Sequence, residues 1–200
     1  MDTEYHTKTG WLCLDFANTV DWHASDNPVE TLNTYADLIE WSADEGVISG
    51  DAKDLLLRKS EEKPIEAQAV LQKAREIRED IYQMLSYTVH GHPVKTAHLK
   101  GFNKALASML SHSRLAPSDG GLRWEWDSHS DRLDYVIWPA VKSAVDLMTS
   151  EAIKRVGQCA DEKGCGWLFW DSSRNRSRRW CDMSDCGNRA KVRRFYAKSK

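Results

Sequence analysis

CADEKGCGWLFWDSSRNRSRRWCDMSDCGNRAK, residues 159–191, holds four of the five cysteines in the 200-residue chain. Cys159 and Cys165 are spaced C-x5-C, fifteen residues follow, and Cys181 and Cys186 close the set as C-x4-C. Zinc takes four thiolates in a tetrahedron and needs no histidine to complete it. Each short pair can present both sulfurs from one turn, and the fifteen residues between are enough for a hairpin that brings the pairs together. A module this small buries little apolar surface, so a metal would hold it together. The spacing therefore favours one structural Zn2+ over disulfides or free thiols. Four protein ligands leave no open position for a catalytic water. Cys13, alone within Trp11-Leu12-Cys13-Leu14, reads as a small core residue.

Local patterns around the cysteines give the order knuckle, hairpin, knuckle, helix. Gly166 to Asp171 is aromatic and strand-like, and residues 172–177 form a polar, basic hairpin tip. Arg178-Arg179-Trp180-Cys181 returns toward the metal. Residues 182–185 turn, with Ser184 or Asp185 as a helix cap, and Cys186 falls in the first turn of a helix running on from CGNRAK. That order resembles a treble-clef zinc module.

Charge divides the chain in the same place. Residues 1–150 carry 15 Lys and Arg against 24 Asp and Glu, a balance of −9. Residues 151–200 carry 13 against 6, a balance of +7. An acidic body with a basic, polyanion-seeking tail is expected. Candidate DNA contacts are Arg174, Arg176, Arg178 and Arg179 at the hairpin, with Asn188, Arg189, Lys191, Arg193, Arg194 and Lys198 on the final helix. Arginine suits phosphate because its planar fork donates two hydrogen bonds at once. Either Arg179 or Arg189 is equally expected to neutralise the zinc–thiolate centre instead.

The body reads as mainly helical. Residues 11–22 are an apolar run, 31–48 a helix, and Asp51 a cap for a short helix to Leu57. Residues 65–89 form a long amphipathic helix, and Thr96 opens another through Met109. Residues 117–121 read as a loop. Leu122, Trp124 and Trp126 alternate with charged residues as a strand, a turn falls at 128–131, and a second strand is expected over 133–138. Pro139 starts a helix running to about Val156. The fold class is thus mainly α with a small antiparallel hairpin, a helical body over 1–156 and a treble-clef-like zinc module over 157–200.

The segment from Cys159 to Arg194 closely resembles the CGNR zinc finger family. The likeness rests on Cys165-Gly166-Trp167, Phe169, Asp171-Ser172-Ser173, Arg178-Arg179-Trp180-Cys181 and an intact Cys186-Gly187-Asn188-Arg189, followed by Ala190-Lys191. Leu14-Asp15-Phe16-Ala17-Asn18-Thr19 resembles the opening signature of the ABATE domain, which commonly precedes this finger. The resemblance implies a bacterial stress-related transcription regulator, a helical sensor-like body joined to a zinc-bearing DNA contact.

Asp15, Asn18 and Thr19 are polar groups within apolar sequence. They are candidates for lining an effector pocket, or for satisfying backbone groups at a junction. His90 and His92 flank a glycine at a helix end and suggest only a solvated terminus. No Gly-rich phosphate loop, nucleophile elbow or metalloprotease motif is present, so an enzyme is not expected. Neither a signal-type N-terminus nor a bilayer-length apolar run is seen, so a cytoplasmic protein without a membrane partner is expected. Expected partners are DNA, a small-molecule effector and a second copy of the chain. The competing readings are an RNA-binding or protein-interaction zinc module, and a small-molecule enzyme in the body with a structural zinc cap.

Overall fold

The computed structural model describes residues 5–126, 132–161 and 163–198, the last without its side chain. Its longest element follows directly from hydrophobic periodicity. Val70, Leu71, Ala74, Ile77, Ile81, Met84 and Leu85 recur at helical spacing and are all buried on one face of α4 (Pro64–Val89). Pro64 begins the helix where its missing N–H costs nothing.

Around α4 lie α1 (Leu12–Ala17), α2 (Tyr35–Asp44), α3 (Gly50–Glu62), α5 (Thr96–Ser111) and α6 (Trp138–Met148). α1 is buried on every side, which its short apolar run already implies. Thr34 and Asp37 cap α2 reciprocally. Ser49, rather than Asp51, caps α3, which runs five residues past Leu57. Cys13 is fully buried, and burial pushes its thiol up to about 12.

Among the described residues, three two-stranded antiparallel sheets complete the fold. They pair β1 (Val20–Asp21) with β2 (Val29–Glu30), β3 (Ser113–Ser118) with β4 (Gly121–Trp126), and β5 (Val156–Gln158) with β6 (Leu168–Trp170). Two sequence expectations are corrected here. The partner of β4 precedes it, with Leu115 opposite Trp124, and the supposed loop 117–121 is mostly strand. Asp119-Gly120 makes the two-residue turn, with Gly120 at φ +89°. Residues 133–138 are not a strand. Leu133, Val136, Ile137, Ala140, Val141 and Ala144 are buried at helical spacing, so the chain enters α6 through a 3-10 turn at Tyr135–Ile137. The turn expected at 128–131 lies outside the described residues. α6 ends at Met148, well short of Val156, because Ser150 caps a new 3-10 turn that leads into β5.

Arg78 carries a cation into the core. Arg78 is buried and donates to both Glu30 carboxylate oxygens at 2.6 and 2.7 Å, and to Thr19 Oγ1 at 3.3 Å. Burial opposes the charge on Glu30, but the bonds from Arg78 and the Leu32 N–H outweigh it and hold the carboxyl below its ordinary 4.5. Such a depressed carboxylate stabilises the fold above its unfolded pKa, and the gain is lost as pH falls through the folded value. Arg78→Met is expected to lower stability by about 3 kcal/mol at neutral pH and to flatten the acid limb of a stability–pH curve, measured by urea titration. An unchanged acid limb would remove this pair from the account.

Candidate metal centre and nucleic-acid interface

The first knuckle leaves β5 at Cys159, whose N–H donates to the Trp167 carbonyl at 2.8 Å. The chain turns through Asp161 and Gly164, and Gly166, at φ +70°, swings it back toward β6. The second knuckle is capped by Asp182, not by Ser184 or Asp185. Its carboxylate accepts from the N–H groups of Ser184 at 2.6 Å and Asp185 at 3.1 Å. Cys186 lies in the π-helical turn Met183–Gly187, which feeds α7 (Asn188–Lys198).

These two turns bring the four sulfurs together. Cys159, Cys165, Cys181 and Cys186 have Sγ atoms all within 4.8 Å of one another, and the 165–181 and 181–186 pairs stand 3.6 Å apart. Tetrahedral zinc with Zn–S near 2.3 Å requires sulfur–sulfur edges of about 3.8 Å, so the residues fit the ion. Three of the four are buried. Cys159 and Cys165 push the Cys181 thiol far up, and burial raises Cys186 to about 12, while bonds from Cys165 and Cys181 bring Cys159 down to about 2. Four adjacent thiols cannot all ionise without a cation between them.

The neighbouring charges are spent unevenly. Asp161, with a side chain 0% exposed, accepts from Arg189 Nε at 3.1 Å and also binds Arg193. Arg189 further reaches Asp185 and the Cys186 sulfur, the latter at 2.8 Å. Of the two arginines expected at the thiolates, Arg189 is the one placed there. Arg178 donates to the Trp180 and Cys181 carbonyls and lies 4.7 Å over the Phe169 ring. Asn188 donates to the Ser184 carbonyl at 2.7 Å. These four side chains brace the finger. Arg174, Arg176, Arg179, Lys191 and Arg194 keep exposed heads, with Arg179 and Arg194 against the Trp180 ring. The Lys198 side chain lies outside the described residues.

Two family models match the chain. One, ABATE, described as "Putative stress-induced transcription regulator", matches residues 10–151, and the CGNR zinc finger model matches residues 155–199. The chain belongs to the ABATE family. No curated protein matches it. With its finger family and its sulfur geometry together, this ABATE protein is a zinc-containing regulator with one structural zinc site at the four cysteines. Among the described residues no helix is long and apolar enough to cross a membrane.

The ABATE body grips the finger through backbone groups that no motif reveals. The N–H groups of His23 and Ala24 donate to the carbonyls of Cys165 and Gly164, both at 3.1 Å. Tyr82 Oη donates to the Gly166 carbonyl at 3.0 Å, and Gln158 Nε2 donates to Tyr82 Oη at 2.7 Å. Arg189 lies 4.8 Å over the Trp22 ring. Asn18 donates to the Leu168 carbonyl at 2.8 Å and accepts from the Leu168 N–H at 2.9 Å. Thr19 donates to the Phe16 carbonyl at 2.8 Å, and Asp15 accepts from the Thr9 N–H at 3.3 Å, with its carboxyl raised by burial. These three residues sit on α1 or just after it, each bonded to backbone groups. Asp161 was not a sequence candidate. Its position inside the first cysteine pair was the available signal.

Proposed function

We propose that this protein is a non-catalytic cytoplasmic regulator that contacts duplex DNA through the finger and responds to a small molecule through the body. The observation that carries the reading is the set of exposed cations on the finger. Arg174 and Arg176 lie in the hairpin segment, Arg179 lies two residues before Cys181, and Lys191 and Arg194 lie on α7, while Asp161 holds Arg189 and Arg193. The cysteines shape the surface, and the cations do the contacting. Arg189 and Arg193, occupied by Asp161, are positioning residues in this reading and not phosphate contacts.

Five phosphate contacts give a log–log salt slope of about −4.5 on duplex DNA. Selection from genomic fragments with the zinc-loaded chain is expected to enrich one duplex motif. The pair Arg174→Ala and Arg176→Ala is expected to weaken binding to all sequences alike and to reduce the slope by about 2. Equal binding to random DNA and heparin, with no enrichment, overturns the specific-regulator reading.

A protein-contact role is favoured by one separate feature. Val192, Phe195 and Tyr196 lie exposed along one face of α7. Sedimentation of the DNA-free chain tests whether that face joins two copies. A monomer at high concentration removes self-association.

A further inference from the structure

The body holds a cleft of about 1080 Å³ to which no role has yet been given. One wall is the β3–β4 hairpin. Cross-strand partners share a face, so the register 115–124 and 117–122 places Leu115, Leu122, Trp124 and Trp126 on the same side. Three of these, Leu122, Trp124 and Trp126, line the cleft. The opposite wall comes from Trp11 before α1 and from Pro139, Lys142 and Ser143 on α6. Trp124 is 49% and Leu122 68% exposed, while Arg114 and Arg123 of the same hairpin pair with Glu125, and Arg123 also borders the cleft. The hairpin therefore turns its apolar face toward an open gap, against the usual arrangement for a solvated strand.

The gap is far larger than a packing flaw and lies at the upper end of small-molecule sites. Its cations are already compensated: Lys142 pairs with Asp146 at 2.5 Å, and Arg123 with Glu125 at 3.2 Å. Indole rings on both walls suit a flat ring system, which they can meet by offset or edge-on packing. We infer that this cleft is a binding site for an uncharged, planar aromatic or heteroaromatic molecule, held between Trp11 and the Trp124–Trp126 strand. The inference gives the proposed small-molecule response a location and rests on that reading for its purpose. Trp11 also meets Trp170 of β6, ring centroids 5.9 Å apart, so an occupant lies one ring away from the finger.

Nile red, a neutral planar dye, tests the site by fluorescence titration of the full zinc-loaded chain. One saturable site with blue-shifted emission is expected. Trp124→Ala and Leu122→Glu, both at exposed positions, are each expected to weaken it by about tenfold or more, while Ile65→Ser on α4 leaves it unchanged. Circular dichroism of each variant verifies the fold. Non-saturating binding by the unsubstituted chain, or an affinity in both hairpin variants unchanged from that of the unsubstituted chain, overturns the site. So does a hairpin substitution that changes only the sedimentation of the chain, which would make the face an interface between copies. The titration needs no DNA, so its failure is separate from failure of the genomic selection.

Discussion

Removing zinc from the full chain is expected to unfold the finger and abolish DNA binding while leaving the helical body folded. The finger's own buried cluster consists of Cys159, Cys165 and Cys186, with Trp22, Trp167, Trp180 and Cys181 partly buried against it. Without the ion, that cluster is four thiols that cannot all ionise and three partly buried tryptophan rings. Zinc binding to small four-ligand modules is worth roughly 10–16 kcal/mol, far more than such a cluster supplies by burial. Cys181→Ser is the matching variant. It is expected to drop bound zinc from one per chain to near zero, to strip amide protection from residues 159–187, and to reduce DNA affinity by about a hundredfold or more, as the loss of several phosphate contacts implies. Metal analysis with hydrogen exchange checks both. A chelated chain that keeps its finger amides protected would mean the packing against the body, and not the metal, holds the module.

The second large effect separates docking from metal binding. A Cβ added at Gly166 would lie 2.7 Å from Ala24 Cβ and 2.8 Å from both the Ala24 nitrogen and Tyr82 Oη. The backbone there is at φ +70°, which an L side chain adopts only with strain. Gly164 is equally tight against the Ser25 backbone. The Ala24 nitrogen is backbone and the Ala24 Cβ has no rotamer to change, so neither can yield by side-chain rotation. Gly166→Ala is expected to cost about 2–4 kcal/mol and to lower the melting temperature by several degrees. Zinc should stay at one per chain, and the His23 and Ala24 amides should exchange rapidly. Loss of zinc in this variant would show instead that the knuckle cannot form unless it is docked.

The sequence made the metal legible because thiolate chemistry is carried by side chains at countable spacings. The long helices were legible for a related reason: α4 keeps its apolar residues on one face for 26 residues. Short elements gave way where local cues were weak or misjudged. Residues 133–138 are apolar enough to fit either period, and only the buried positions continuing to Ala144 decide for the helix. Asp119-Gly120 was a usable turn signal that pointed to the true hairpin. Asp161 was hidden because one carboxylate among ten basic candidates carries no mark of being buried. The junction was the least legible part. Its bonds from His23 and Ala24 use main-chain groups that every residue possesses.

The two bonds between Asn18 and Leu168 join positions 150 residues apart. A ribosome making this chain completes α1 long before residue 168 leaves the exit tunnel. Until then the Asn18 amide, buried in the finished fold, has no strand to bond, and an unpaired buried amide is costly. The body's first helix therefore reaches its final environment only after the finger's second strand, β6, arrives. Translation halted between the two family segments would release a body with one flank still open. The boundary at which the family models divide the chain is thus the last seam to close during synthesis.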